Sequence, residues 1–188
     1  AFKFNPRETA EFVQPTPFPG LSILPSHPSL EELQSKLESR YKIYKLRDAL
    51  DELADQFDAV YIDTPPALNF YTRSALIATR RCLIPFDCDD FSRRALYALL
   101  ENVQEIKADH NADLEVEGIV VNQYQPRASL PQKLVQELIA EGLPIFKTYL
   151  SSSIKIRESH EQAKPMIHLE PRHKLAQEFI ALHGELKG

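Results

Sequence analysis

Residues 57–66, FDAVYIDTPP, place a carboxylate where a buried strand could end. The largely apolar stretch 58–63 predicts a strand that runs into Asp63, and neither a strand nor a helix continues readily through Pro65 and Pro66. An acid at such a strand end can organise Mg²⁺ beside phosphate oxygens, where the metal offsets charge that develops during phosphoryl transfer. An Asp that merely begins a turn is the commoner explanation for an arbitrary sequence, but the rigid prolines favour the metal-organising role.

Other residues with chemical potential form weaker patterns. Cys82 and Cys88 could form a metal pair, but no second Cys or His pair has ligand spacing, so a buried structural Cys82 is the better interpretation. The six histidines are scattered, and surface positions explain them better than a metal site. The serines at 151–153 lack the Gly-x-Ser-x-Gly pattern of a nucleophile elbow, and helix capping explains them better.

Apolar runs and helical periodicity alternate after a proline-rich first 20 residues. The predicted strands are residues 20–26, 58–63, 81–86, 116–123 and 144–150. The predicted helices are residues 29–56 with a break allowed at 40–43, 72–79, 92–108, 130–141, 153–163 and 171–186. Gly142 fits the C-terminal cap of the helix that precedes it.

The predicted strands are continuous apolar runs, which is typical of a parallel sheet covered by helices on both faces. We therefore expect one three-layer α/β domain over residues 1–188. Function in such sheets lies at the carboxyl ends of the strands. Asp63, Asn122 and residues 149–151 all occupy predicted strand ends.

The composition, with 43% hydrophobic and 26% charged residues, is typical of a soluble globular protein. Because the net charge is -5, any contact with nucleic acid must use a local basic patch. No apolar run approaches the roughly 18 residues of a membrane span, and no signal-peptide pattern is visible. The amphipathic helix 171–186 mixes Lys and Glu on its polar face, which favours packing on the sheet over membrane binding. These features predict a cytoplasmic protein without membrane contact.

The segment 57–106, which includes FDAVYIDTPP and CLIPFDCDDF, resembles the middle of the ParA/MinD family of deviant-Walker ATPases. The resemblance is to the ParA branch of chromosome- and plasmid-partitioning proteins. Members of this family show an apolar strand, Asp-x-Pro-Pro, a helix, a strand ending in Ile-Pro, and an acidic loop with Phe or Tyr. The likeness continues in GIVVNQYQPRASL, IFKTYLSSSIKIRESHEQAKPMI and, upstream, QPTPFPGLSILPS. It covers almost the whole chain and implies a P-loop NTPase-like fold.

The resemblance also implies roles in an ATP site. Asp63 matches the Walker B acid, the catalytic residue that acts on the Mg²⁺ shell through water. Thr64 and Pro65 belong to the matched switch that senses the γ-phosphate. Asn122 matches a position near the adenine base, and residues 149–153 match a loop that lines the base. In that loop Leu-Ser-Ser replaces the family's Ile-Pro-Arg.

ParA proteins bind DNA without sequence preference when they are dimeric and hold ATP. The resemblance therefore implies an ATP-bound homodimer, DNA, a ParB-type partner that stimulates hydrolysis, and a nucleoid location. Arg127 and Lys155 match basic DNA-binding positions, and Arg157 lies two residues further on. These cations would contact phosphates. The alternative is that Lys155 and Arg157 are ordinary solvated helix charges, and Ser152 removes one expected cation.

The family's phosphate loop, Lys-Gly-Gly-x-Gly-Lys-Thr, does not occur in these 188 residues. Such a loop cradles phosphates with its backbone N–H groups, and the five glycines here are too far apart to form one. We therefore expect these residues to be the C-terminal three-quarters of an ATPase domain, without its first strand–helix unit, and alone to bind no ATP and be inactive. The alternatives are a truncated non-catalytic interaction module and a ParA-like ATPase that positions other cargo.

Overall fold

The computed structural model describes residues 9–187, which fall into two units. Unit 1 contains the described residues up to Arg80 together with Gln104–Leu114. Unit 2 contains Arg81–Val103 and the described residues from Glu115 onward. In chain order the elements are β1 (Gln14–Pro15), β2 (Ser22–Ile23), α1 (Ser29–Ser39), α2 (Lys45–Leu53), α3 (Phe70–Ala78), β3 (Arg81–Asp87), α4 (Asp90–Asp109), β4 (Glu115–Asn122), α5 (Ser129–Ala140), α6 (Lys155–Glu161), α7 (Met166–Leu169) and α8 (Lys174–Lys187), with short 3₁₀ turns at Ala10–Phe12 and Ala54–Gln56.

The predicted helices are confirmed, with bounds shifted by a few residues. The long helical pattern 29–56 breaks at Tyr41, whose φ of 54° lies in the left-handed region. Gly142 ends α5 with a φ of 80°, and its N–H donates to the Ile139 carbonyl at 3.0 Å. The predicted strand 20–26 shortens to β2, which pairs antiparallel with β1 instead of joining a parallel sheet.

Helices α1, α2 and α3 supply most of the regular structure of unit 1. Helix α3 starts where the Asn69 side-chain oxygen accepts hydrogen bonds from the N–H groups of Tyr71 at 3.0 Å and Thr72 at 3.1 Å. This N-cap satisfies two donors that have no partner inside the helix. The apolar residues buried on α2 and α3 are Ala49, Leu53, Phe70, Ala75, Leu76 and Ile77.

The predicted strand 58–63 is wrong. These residues form no strand and no helix, and Val60 and Tyr61 are 49% and 73% exposed. A strand needs a neighbour that pairs with its backbone N–H and C=O groups. Among the described residues, no strand pairs with this stretch, so its apolar character alone does not produce a strand.

The sheet of unit 2 contains the parallel pair β3 and β4, in agreement with the prediction for both strands. Cys82 pairs with Val116 and Leu83 pairs with Gly118, so Glu117 is an extra residue on β4. This bulge shifts the register by one residue.

Alternate residues of β3 and β4 enter two different apolar clusters, as the period of a strand requires. Ile84, Phe86 and Ile119 pack with Leu96 of α4 and Leu138 of α5. On the other face, Leu83 and Val120 belong to the cluster of Leu150, Met166, Leu175 and Leu182, which includes residues of α7 and α8. Within unit 2, the predicted arrangement of a sheet with helices on both faces is therefore confirmed.

Residues 144–151, called here the edge segment, follow the free side of β4 but do not form the predicted continuous strand 144–150. Isolated parallel bridges join Ile119 to Ile145 and Tyr124 to Ser151. The segment is anchored on the second cluster by Leu150, which is 6% exposed, and by Phe146. The Phe146 ring lies over Gly118, where an added Cβ would meet it at 2.3 Å.

Candidate functional site

Polar side chains meet at the carboxyl ends of β3 and β4 in unit 2. Asp87 is the last residue of β3 and lies opposite Asn122 in the parallel register. The Asn122 amide Nδ2 donates to Asp87 Oδ1 at 3.0 Å, and the Gln123 Nε2 donates to Asp87 Oδ2 at 2.9 Å. Gln123 has a φ of 50°, so the chain turns sharply just after the strand. The Asp87 carboxylate therefore fixes two amide side chains beside each other.

Sequence reasoning found Asn122 but missed Asp87. Asp87 directly follows the predicted strand 81–86, just as Asn122 lies at the end of the next strand along the chain. Since the carboxyl ends of neighbouring parallel strands meet at one edge, this position was a usable signal.

Two tyrosines extend the site. The rings of Tyr124 and Tyr149 lie edge to face with centroids 4.8 Å apart. The Tyr124 N–H donates to the Leu150 carbonyl at 2.9 Å, which joins the loop after β4 to the edge segment. Burial raises the pKa of the Tyr149 hydroxyl, and the nearby Tyr124 and Cys88 raise it further. Tyr149 is therefore a neutral hydrogen-bonding and stacking group near neutral pH.

Cys88 lies between two acids in the loop after β3. Burial, followed by the charges of Asp87 and Asp89, raises the pKa of the Cys88 thiol to about 11. A thiol with this pKa is protonated near neutral pH and is a poor nucleophile or metal ligand. Asp89 has a different role, since its carboxylate accepts the Ser92 N–H at 2.7 Å at the start of α4.

The predicted acid Asp63 lies in unit 1, on the exposed stretch described above. Thr64 and Pro65 are exposed as well, and no hydrogen bond or ion pair to Asp63 occurs within residues 9–187. The turn after them is held from α3, because the Thr72 hydroxyl donates to the Ala67 carbonyl at 2.7 Å. Asp63 thus has a free carboxylate on a segment whose far end is fixed.

The three predicted DNA-binding cations have different surroundings. The Lys155 ammonium lies 2.8 Å from Glu158 and 2.9 Å from Glu170, and hydrogen bonds to these two acids, in that order, raise the Lys155 pKa. Arg127 is exposed in the turn before α5, and Arg157 is exposed on α6. Neither arginine has an ion pair in the described part of the chain. The structure therefore leaves Arg127 and Arg157 as free cations and neutralises Lys155 locally.

The serines at 151–153 are used structurally rather than as nucleophiles. The Ser153 hydroxyl accepts the Lys155 N–H at 3.2 Å at the start of α6. Ser151 donates its hydroxyl proton to Glu178 at 2.7 Å. Across residues 9–187, no group of three or more His, Cys, Asp and Glu side chains could hold a metal ion. Within the same range no helix is long and apolar enough to cross a membrane.

A parallel strand pair covered by helices gives unit 2 an α/β architecture, and the likeness to solved structures gives the chain a P-loop NTPase-like fold. Solved structures agree: a complex of Cyanothece McdA with ATP aligns with a TM-score of 0.83, at 21% identity over 96% of this chain and 71% of that one. Cobyrinic acid a,c-diamide synthase from Mycobacterium smegmatis, with a bound ATP analogue and magnesium, aligns with a TM-score of 0.72 at 24% identity, over 78% of this chain and 60% of that one.

The family follows from the sequence comparisons. Residues 3–116 match the family model AAA_31, described as an AAA domain. The chromosome partitioning protein ParA of Myxococcus xanthus is 29% identical over 184 residues, which cover 97% of this chain and 65% of that protein. The chain belongs to the ParA/MinD family of ATPases, as the motif order predicted. It spans about two thirds of the length of this relative.

The side chains present do not by themselves fit a complete ATP·Mg²⁺ site. Asp63 of unit 1 presents an exposed carboxylate, and Asn122 of unit 2 presents a half-buried amide. The sequence supplies no glycine-rich loop for the phosphates, and its glycines at 118, 142 and 184 lie far apart in the chain. The 188 residues therefore contain no sequence that could form a phosphate cradle.

Proposed function

We propose that this chain is part of a ParA-type partition ATPase, which binds ATP and non-specific DNA when it is joined to a phosphate loop. The observation that carries the proposal is the AAA-domain match over residues 3–116 together with the ParA relative over 97% of the chain. In this proposal the chain forms one α/β domain, works in the cytoplasm on the nucleoid, dimerises with ATP, and responds to a ParB-type partner. Its cargo is a chromosome or a plasmid.

Asp63 would act on the water shell of Mg²⁺, and Thr64 and Pro65 would respond to the γ-phosphate. The exposed, unpaired Asp63 carboxylate supports this role, because a metal-bound water needs a free acceptor. The fixed turn at Ala67 limits how far the segment can move.

Asn122 would read the base. One of its two Nδ2 protons is donated to Asp87, which fixes the amide and leaves Oδ1 free to accept a hydrogen bond from the base. An acceptor there matches the exocyclic amine of adenine and opposes the carbonyl oxygen of guanine. We expect Asn122→Ala to weaken ATP binding and to reduce discrimination between ATP and GTP.

The direct test is isothermal titration with ATP and Mg²⁺. It compares the 188-residue chain with a form extended by roughly 60–70 residues of upstream coding sequence, the length of the strand–helix unit that carries a phosphate loop. We expect only the extended form to bind, and Asp63→Ala to impair its hydrolysis. ATP turnover by the 188-residue chain would show that it needs no upstream phosphate loop, and would overturn this expectation.

DNA contact is proposed for Arg127, Arg157 and, to a lesser degree, Lys155. The free guanidinium groups of the two arginines support it, whereas the two carboxylates beside Lys155 oppose it. On the ATP-bound extended protein, log K for DNA binding falls as log salt concentration rises. Arg127→Ala and Arg157→Ala should each reduce the magnitude of this slope by about 1. Arg81→Ala, at an exposed cation at the start of β3 and so at the opposite end of the strands from Arg127, is the control and should leave the slope unchanged.

A non-catalytic interaction module is the second candidate. The exposed Val60 and Tyr61, which a partner could cover, favour it. If the coding sequence has no upstream phosphate loop and neither form binds ATP, this candidate becomes the better account. A ParA-like ATPase that positions other cargo shares the chemistry, and identification of the bound cargo would separate it from a partition protein.

A further inference from the structure

The edge segment contains a two-residue irregularity. The Phe146 N–H donates to the Ile119 carbonyl at 3.1 Å, and the Leu150 N–H donates to the Val121 carbonyl at 2.8 Å. Four residues of the segment therefore span the distance covered by two residues of β4. The excess loops out at residues 147–149, where N–H groups have no strand to pair with, although such donors need partners when they are shielded from water.

Two carboxylates of α8 hold the segment, one at the looped-out residues 147 and 148 and the other at Ser151. Glu185 accepts the N–H groups of Lys147 at 2.9 Å and Thr148 at 2.8 Å, and it also accepts the Thr148 hydroxyl. Glu178 accepts both the N–H and the hydroxyl of Ser151, each at 2.7 Å. The two glutamates lie about two turns apart and therefore share one face of the helix.

The surroundings keep both acids ionised. Burial raises the pKa of the Glu178 carboxyl, but hydrogen bonds from Ser151 and Lys174 outweigh it and leave the pKa below its ordinary value. Burial likewise opposes ionisation of Glu185, and hydrogen bonds from Thr148 and Lys147 again lower the pKa overall. The nearby cations are Lys174 on α8, 3.3 Å from Glu178, and Lys147 on the edge segment beside Glu185.

We propose that Glu178 and Glu185 are positioning residues that fix the edge segment, and with it the loop 149–153, for contact with the nucleoside part of ATP. The proposal rests on the proposed function. Glu185 holds the segment where it leaves the β4 ladder, and Glu178 holds it where it returns at Ser151. Between these two points lies Tyr149, whose ring contacts Tyr124 in the strand-end site.

The positioning itself is tested without nucleotide, by amide hydrogen exchange on the 188-residue chain. Glu178→Gln should raise the exchange rate of the Ser151 N–H about ten- to hundredfold, because a hydrogen bond to a charged acceptor is replaced by a weaker one. Glu185→Gln should do the same for Lys147 and Thr148. Glu101→Gln, at an exposed glutamate of α4, is the matched control and should change neither. Unchanged exchange in both glutamate variants would overturn the proposal.

The pH dependence follows from the sign of the two pKa shifts. Since both carboxyls have a lower pKa in the folded chain than in the unfolded one, their stabilisation is present above the ordinary pKa of 4.5 and is lost as pH falls through the lower folded values. The urea midpoint of the wild type should therefore fall more on acidification below pH 4.5 than that of the Glu178→Gln/Glu185→Gln variant. Equal pH profiles would contradict the proposed role of the ionised pair.

The link to nucleotide is tested on the extended protein. Glu178→Gln should raise the Kd for ATP about tenfold and leave the Kd for inorganic triphosphate unchanged, because only the nucleoside contacts the positioned loop. If the wild type binds no ATP, the proposed function itself fails. If the wild type binds ATP and the Glu178→Gln variant has the same Kd for ATP as the wild type, the proposed function survives and this inference is wrong.

Discussion

Two segments of this chain carry predicted nucleotide contacts, and they differ in how their backbones are held. Within residues 9–187, the segment 58–66 around Asp63 pairs with no strand, and Val60 and Tyr61 are exposed. The edge segment 144–151 has β4 on one side and the carboxylates of Glu178 and Glu185 on the other. Both segments were predicted as strands from the same kind of apolar run.

The difference shows that an apolar run specifies a strand only when a partner for its backbone is present. In the edge segment, β4 supplies that partner at both ends, and the Glu185 side chain of α8 replaces it for Lys147 and Thr148. The Asp63 segment is fixed only beyond its carboxyl end, through Thr72 and the turn at Ala67. Substitutions should therefore have unequal consequences in the two segments.

The largest difference is expected from truncation of an apolar side chain in each. Leu150→Ala removes a side chain that is 6% exposed and packed in the second cluster, and it should lower the free energy of unfolding by about 2–5 kcal/mol. Val60→Ala removes a side chain that is 49% exposed and should change stability by less than about 0.5 kcal/mol. Urea unfolding measures both values, and equal losses would contradict the contrast between the segments.

The close approach of Phe146 to β4 gives the next largest effect. Gly118→Ala should destabilise the chain by about 1–3 kcal/mol, because the new Cβ would lie 2.3 Å from the Phe146 ring. Gly184→Ala is the control, since a Cβ there meets nothing within 4 Å, and it should stabilise α8 by about 0.5–1 kcal/mol. A neutral Gly118→Ala would show that the edge segment moves away from β4 easily.

Much of this fold was predictable from local patterns, because a helix satisfies its own backbone. The helical periods at 92–108 and 130–141 gave α4 and α5, and Gly142 marked the end of α5. The strands β3 and β4 also followed from their sequences, since each is the other's partner. The two-unit division was not part of the sequence-based expectation.

The unpredicted features depend on contacts between residues far apart in the chain. The edge segment is held by glutamates 27 to 38 positions later, and no local pattern encodes that distance. Asp87 could have been found from its place at a strand end, but its two amide partners come from β4 and the residue after it. Lys155 matched a DNA-binding position, yet its ammonium group forms ion pairs with Glu158 and Glu170.

The cap of α3 tests how the Asp63 segment is held at its far end. Asn69→Ala should destabilise unit 1 by about 1 kcal/mol, because two N–H groups lose their acceptor. Asn69→Asp keeps the acceptor and should be close to neutral. Amide exchange at Tyr71 and Thr72 should rise in the alanine variant alone, and equal exchange in both variants would show that the cap does not hold this turn.

The smallest effect is expected at Asp63 itself. Asp63→Asn should change the free energy of unfolding by less than about 0.5 kcal/mol, because its exposed carboxylate has no hydrogen bond or ion pair within the described chain. Glu178→Gln removes a charge from the α8 carboxylate that holds the edge segment. It weakens the acceptor of two Ser151 donors and should cost more. Urea midpoints at pH 7 compare the two variants directly. A loss above about 1 kcal/mol at Asp63 would mean that this carboxylate stabilises the fold, and its free state would then no longer support a role in binding metal-bound water.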